Sequence, residues 1–236
     1  MSCDMNVNSR LGLYNSWLLR HYCMFKYPFV PNLIRGVKTW AKSKNLNNPS
    51  VTGLTVSFSS YSLALMTIAY LQHLGALPNC QADPDPIFRT HFWEGRGSNS
   101  RNITVRYGAC KGWKPSGRVP SVGEWLKFYG ERFDYTTEMI SIRHGGIIRR
   151  PQHLPPDLEY SHFRGSIVVL DPFLNKNCTR FIKEETLQEF RAKCSVGAAD
   201  SIRRWESLKA RHQTQARSQS DDEEEPDPWT DLMASR

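Results

Sequence analysis

Lys38 and Lys42 stand four residues apart in Val37-Lys38-Thr39-Trp40-Ala41-Lys42, and a short loop later the chain reads Phe58-Ser59-Ser60-Tyr61. On a helix, an i,i+4 spacing puts both ammonium groups on one face. Ser59 and Ser60 have the composition of a helix cap, and the free amides of a helix N-terminus attract anions. Two cations, a hydroxyl-rich helix start and an aromatic ring are the parts that grip a triphosphate and stack a base. Each part also has a plainer use. The lysines alone fit a solvated helix face, and Tyr61 alone fits a core.

The elements that must position these groups follow from periodicity. Arg10 to Tyr22 reads as a helix, with Leu11, Trp17 and Leu18 on one side. Pro28 and Pro31 break the chain, and Pro31 suits the first turn of a second helix running to about Lys44. Ser59 to Leu74 is a third helix, apolar nearly all round and therefore central. Pro78 to Pro120 is rich in Gly, Pro, Asn, Arg and aromatics, which predicts a loosely ordered excursion with short strands at most. Ser121 and Glu124 form a capping-box pair at the start of another helix. Glu138 to Arg143 and Gly165 to Leu170 read as short strands, the second ended by Asp171-Pro172. Lys183 to Leu208 is helical, with Gly197 as its expected weak point. The fold class is mostly α with a few short strands (α+β).

Composition sets the outer bounds. The 236 residues are 39% hydrophobic, enough for one good core or two lobes. The formal charge of +8 understates the body, because seven of the 23 acids crowd into Asp221 to Asp231. A body this basic suits a polyanion partner, or a merely soluble basic surface. Six cysteines form no C-x-x-C pair, no paired histidines complete a zinc pattern, and no signal peptide precedes them. Reduced thiols in the cytoplasm or nucleus are expected. The most apolar run, Leu63 to Leu71, is interrupted by Thr67 and too short to span a bilayer, so no membrane partner is expected.

Several short motifs, taken in order, resemble one family. They are Cys3-Asp4-Met5, Asn8-Ser9-Arg10-Leu11, Tyr14-Asn15, Val37-Lys38, Trp40-Ala41-Lys42 and Ser59-Ser60-Tyr61. Phe133-Asp134-Tyr135, Ile140-Ser141-Ile142-Arg143, Asp171-Pro172-Phe173 and Asn177 follow. This order resembles the noncanonical poly(A) polymerases and terminal uridylyltransferases, a branch of the DNA polymerase β-like nucleotidyltransferases. The resemblance covers roughly residues 3–75 and 121–200. It implies template-independent addition of nucleotides from a nucleoside triphosphate, ATP or UTP, to an RNA 3′ end. It also implies two metal ions, magnesium or manganese, held by three palm carboxylates.

By that resemblance Asp4 is the third carboxylate and metal ligand. Lys38 and Lys42 hold the triphosphate, Ser60 contacts a phosphate and Tyr61 stacks on the base. Ser9, or its neighbour Asn8, meets the ribose, and Asp171, Lys176 and Asn177 lie where the base edge is read. Arg143, Arg149 and Arg150 are candidates for RNA phosphates, or a solvated basic patch. Trp93, Tyr107 and Trp113 alternate with arginines, a mix that suits single-stranded RNA or a packed loop. The implied organisation is a palm remnant over 1–9, a helical central domain from 10–75 and an irregular insertion over 76–120. A poly(A)-polymerase-associated segment over 121–205 and a disordered, finally acidic tail over 206–236 complete it.

The sequence departs from the family at two places. The family's Gly-Ser loop and Asp-x-Asp pair belong well upstream of Asp4, and only three residues precede it here. One carboxylate with phosphates is a poor magnesium cage, so the chain alone is expected to be impaired in transfer. The alternative is a nucleotide- or RNA-binding module without catalysis. In uridylyl-specific members a histidine reads the base near Asn177. None lies between Asp171 and Phe181 here, which favours ATP over UTP, or loose selectivity.

Overall fold

Every residue from Ser62 to Gln72 is buried, so the helix that carries them has no solvent face. This helix, α3 (Ser60–His73), is the axle of the structure, a computed structural model describing residues 10–26, 28–47, 57–95, 100–151, 163–174 and 176–222. Only the backbone is described for 204–206 and 208–222. A helix buried all round must satisfy its polar side chains internally. Thr67 does so by donating to the Leu63 carbonyl at 2.8 Å. Gln72 Nε2 lies within hydrogen-bond distance of the Tyr22 hydroxyl, the Pro78 carbonyl and the Ile142 carbonyl, at 3.0–3.1 Å.

Around α3 lie α1 (Arg10–Phe25) and α2 (Phe29–Ser43), with Pro31 in the first turn of α2 as its fixed φ favours. The capping box at Ser121 and Glu124 is present and opens α4 (Val122–Lys127), which widens into a π-type turn over Phe128–Arg132. The antiparallel strands β3 (Glu138–Ser141) and β4 (Gly146–Arg149) follow and pack on α3. The expected strand over Gly165–Leu170 appears as single bridges, Ile140 with Val169 and Leu170 with Asn177. Asp134 accepts from Thr136 N, Thr137 N and Thr137 Oγ1 and so orders the turn after it.

Three expectations are corrected. The stretch 76–120 is not an irregular excursion, because it holds an antiparallel hairpin, β1 (Pro86–Glu94) with β2 (Arg101–Gly108). Its inner face, Phe88, Phe92, Ile103, Val105 and Tyr107, alternates with polar residues, and Phe88 and Phe92 meet Tyr14 of α1 at 5.5 and 5.2 Å between ring centroids. The tail from 206 is not disordered up to Asp222, since the last helix, α5 (Glu184–Asp222), runs through it. The acidic end beyond 222 lies outside the described residues. Gly197 is not a weak point. A Cβ there would meet Leu126 Cδ1 at 2.9 Å and Trp40 Nε1 at 3.0 Å, so its missing side chain lets α5 press onto α4 and α2.

The tightest backbone approach is at Gly146, where β4 crosses α3. Its φ is +114°, and a Cβ would fall 2.5 Å from the Ala69 carbonyl oxygen. Gly112 has a similar φ, +81°, but open space around it. Gly146→Ala should therefore cost roughly 2–5 kcal/mol by adding a clash to the backbone strain, against about 1–2 kcal/mol for Gly112→Ala. Denaturant unfolding of the two variants tests this, and equal losses would refute the close crossing.

Candidate functional site

The end of α2 and the start of α3 are tied together by the chain between them. After Ala41 the backbone turns, with Leu46 N donating to the Ala41 carbonyl at 2.9 Å and Phe58 N to the Leu46 carbonyl at 2.9 Å. Asn47 Nδ2 adds a bond to the Phe58 carbonyl at 2.8 Å. The basic last turn of α2 and the hydroxyl-rich first turn of α3 therefore sit at one end of the helix pair. Lys38 is half-buried and Lys42 exposed. Lys42 also suits the negative end of its own helix, its plainer role.

At the other side of this end, Ser59 has extended backbone, φ −73° and ψ 153°, and its hydroxyl accepts from Ser62 N at 3.0 Å. It is the N-cap that its composition predicted. No acidic residue occupies the first turn of α3, so the positive end of its dipole is not neutralised locally. Ser60 donates to Asn47 Oδ1 at 3.2 Å, long for a hydroxyl donor, so a phosphate oxygen can compete for that proton. Asn47 had no signal in the sequence, because a lone loop asparagine has many local uses.

Tyr61 packs its ring against the core and points its hydroxyl at Asp171 Oδ2, 3.3 Å away. Burial first, then the Asp171 charge, pushes the Tyr61 phenol far above its usual range, so it stays a neutral donor. Asp171 is itself buried, and burial raises its pKa. The amides of Phe173 and Leu174, at 2.9 and 3.0 Å from Oδ1, pull the other way, followed by the Tyr61 hydroxyl and Lys176. One carboxylate thus joins the first turn of α3 to the turn after residue 170. The Lys176 carbonyl accepts from Asp171 N at 2.9 Å, which places Lys176 beside it.

Two expected contact residues have other occupations. Asn177 is buried, and its Oδ1 accepts from Val169 N, Thr179 N and Thr179 Oγ1. Its Nδ2 donates to the Arg164 and Ile167 carbonyls. Its amide holds the turn together and has no face left for a base. The Arg150 guanidinium donates to the carbonyls of Glu138, Gly165 and Ser166, so it is a clasp rather than an RNA contact. Arg143 and Arg149 are exposed. Of the three aromatics read as a platform, Tyr107 is buried, Trp113 is half-buried against Phe25, and Trp93 is exposed.

Asp4, Asn8 and Ser9 lie outside the described residues. Among the described residues no three His, Cys, Asp or Glu side chains converge to hold a metal ion. No described helix is long and apolar enough to cross a membrane, and Cys23, Cys80, Cys110, Cys178 and Cys194 are free. A cleft of about 720 Å³ at the base of the hairpin, lined by Asp83, Pro84, Lys111 and Trp113 among others, shares no residue with the site above.

Residues 123–177 match the Cid1 family poly A polymerase domain. The chain belongs to the noncanonical poly(A) polymerase family. It is 32% identical over 192 residues to poly(A) RNA polymerase GLD2 of Mus musculus, covering 77% of this chain and 35% of that protein. The chain thus spans about a third of the length of the curated relatives it matches. The crystal structure of Cid1 poly(U) polymerase superposes with a TM-score of 0.62 at 22% identity, over 81% of this chain and 57% of that one. A Cid1 complex with the UTP analogue UMPNPP gives 0.60 at 20% identity, over 81% and 57%. The mostly helical α+β class is therefore that of this family.

Replacing Tyr61 by Phe removes one of the bonds that lower the Asp171 pKa. The Asp171 carboxyl should then titrate at still higher pH while the ring stays in place. A carboxyl already raised by burial contributes most to stability when protonated, so the variant should lose stability more steeply as pH rises through the Asp171 pKa. A carbon-13 NMR titration of the carboxyl checks this. An unmoved or lowered pKa would mean the hydroxyl does not serve Asp171.

Proposed function

We propose that the chain is the nucleotide-gripping part of an RNA 3′-terminal nucleotidyltransferase of poly(A)-polymerase type, which adds nucleotides without a template. The supporting observation is the shared end of α2 and α3, where Lys38 and Lys42 accompany a capped helix N-terminus and a tyrosine whose hydroxyl is held by Asp171. Lys38, Lys42 and Ser60 take the triphosphate, and the α3 amides add the helix dipole. Tyr61 stacks on the base, its ring fixed before the nucleotide arrives. Asp171 and Lys176 face the base edge, and the exposed Arg143 and Arg149 meet RNA phosphates. Asp4, with Asn8 and Ser9, keeps its expected part at the metal and ribose.

ATP is the preferred nucleotide. Asp171 to Phe181 contains no histidine, and the mouse relative is named for poly(A) synthesis. Calorimetry with ATP and UTP tests the reading. Lys38→Ala with Lys42→Ala should weaken ATP binding by roughly 10–100-fold, from two lost charge-assisted bonds, without changing the unfolding midpoint. Unchanged ATP affinity would remove the phosphate site. ATP binding without extension of an RNA primer would leave a nucleotide-binding module.

A further inference from the structure

We propose that the outer face of the β1–β2 hairpin is a landing platform for single-stranded RNA, with Trp93 as its stacking surface and Arg89 as its phosphate contact. The register puts Arg89 opposite Arg106, His91 opposite Thr104 and Trp93 opposite Asn102. Side chains alternate across a strand, so these six share the face turned from the core. Trp93 is 69% exposed, more than any other large hydrophobic residue described. Arg89, His91, Asn102 and Thr104 are exposed beside it.

The face has cations, hydrogen-bonding groups and one bare aromatic plane, and the register gives it no carboxylate, since Glu94 pairs with Arg101 on the opposite side. A negatively charged strand with unstacked bases fits it. Bases of any identity stack on an indole, and a guanidinium takes the phosphate. Arg89 and Trp93 lie four residues apart, about 13 Å along the strand, so one RNA segment can reach both. A protein partner fits less well, because Trp93 and Ile87 are the exposed large apolar side chains of this strand and charge interrupts them.

The mount is rigid. The inner face packs on α1 through Phe88, Phe92 and Tyr14, and His21 of α1 lies 2.9 Å from the Gly108 carbonyl at the end of β2. Arg106 is held to the Asp83 and Pro84 carbonyls, which leaves Arg89 as the cation of the pair turned to solvent. The platform lies on a different element from the α2–α3 site, so it would hold RNA upstream of the 3′ end. In that respect it rests on the function proposed above.

The test is fluorescence anisotropy of a labelled 15-nucleotide oligoadenylate against the 236-residue chain, with ATP affinity measured in parallel. Trp93→Ala should weaken oligoadenylate binding by about 10-fold or more. Trp93→Phe should stay within about twofold, because the plane is kept. Arg89→Glu should weaken binding and lower the salt dependence by about one phosphate. ATP affinity and the unfolding midpoint should be unchanged in all three. Oligoadenylate binding that is absent, or insensitive to Trp93→Ala and Arg89→Glu, would overturn the platform and leave the face to a protein partner. RNA binding that depends on Trp93 in a chain that does not bind ATP would uphold the platform while the nucleotide reading falls.

Discussion

The structure turns on one constraint, the complete burial of α3 from Ser62 to Gln72. A helix with no solvent face cannot shift without emptying contacts on every side, so its two ends are fixed points for everything else. Gln72 anchors the lower end by reaching Tyr22 of α1, the Pro78 carbonyl and the Ile142 carbonyl at once. Tyr129 adds a bond to the Met66 carbonyl at 2.8 Å in mid-helix. The upper end, Ser59 to Tyr61, emerges where α2 finishes. Phosphate-binding groups gain from such immobility, because dipoles that are already oriented need no reordering when charge arrives.

The α2–α3 end is also where distant parts of the chain meet. Asp171 reaches Tyr61 from a turn that Asn177 stabilises, and Lys193 of α5 donates to the Lys44 carbonyl at 2.8 Å. The turn and α5 are each buried against the body, through Phe173 and Ile182 for one and Phe190 and Cys194 for the other. A nucleotide held here would contact a surface assembled from three separated stretches of sequence. The described residues supply cations, a helix dipole and an aromatic plane. The chemistry of transfer needs carboxylates in addition, and Asp4 is the one that the resemblance assigns from this chain.

The sequence made the helices legible because their information is local. The capping box at Ser121 and Glu124, the Ser59 cap and the apolar run from Leu63 to Leu71 each declare themselves within a few residues. The hairpin was obscured because Ile87 and Trp93 put apolar residues on its outer face and Thr90 a polar one on its inner face, while the glycines and prolines around it read as loop. Gly197 looked like a defect by helix propensity, yet it serves a contact with Trp40 and Leu126 that no local rule reveals. Asn177 and Arg150 misled for a related reason. Their side chains serve backbone groups up to 16 residues away, and residue type does not say whether an amide or guanidinium serves the fold or a ligand. Lys38, Lys42, Ser60 and Tyr61 were legible as a set because spacing and order both carried signal.

The most direct test of the account is to map ATP on the chain by backbone amide chemical shifts in an NMR titration. The largest, saturable shifts should centre on Ser60, Tyr61 and Ser62, extend to Lys38 and Lys42, and reach Asp171 through Tyr61. Shifts centred on the cleft between Asp83 and Trp113, or saturable binding that leaves the first turn of α3 untouched, would contradict it.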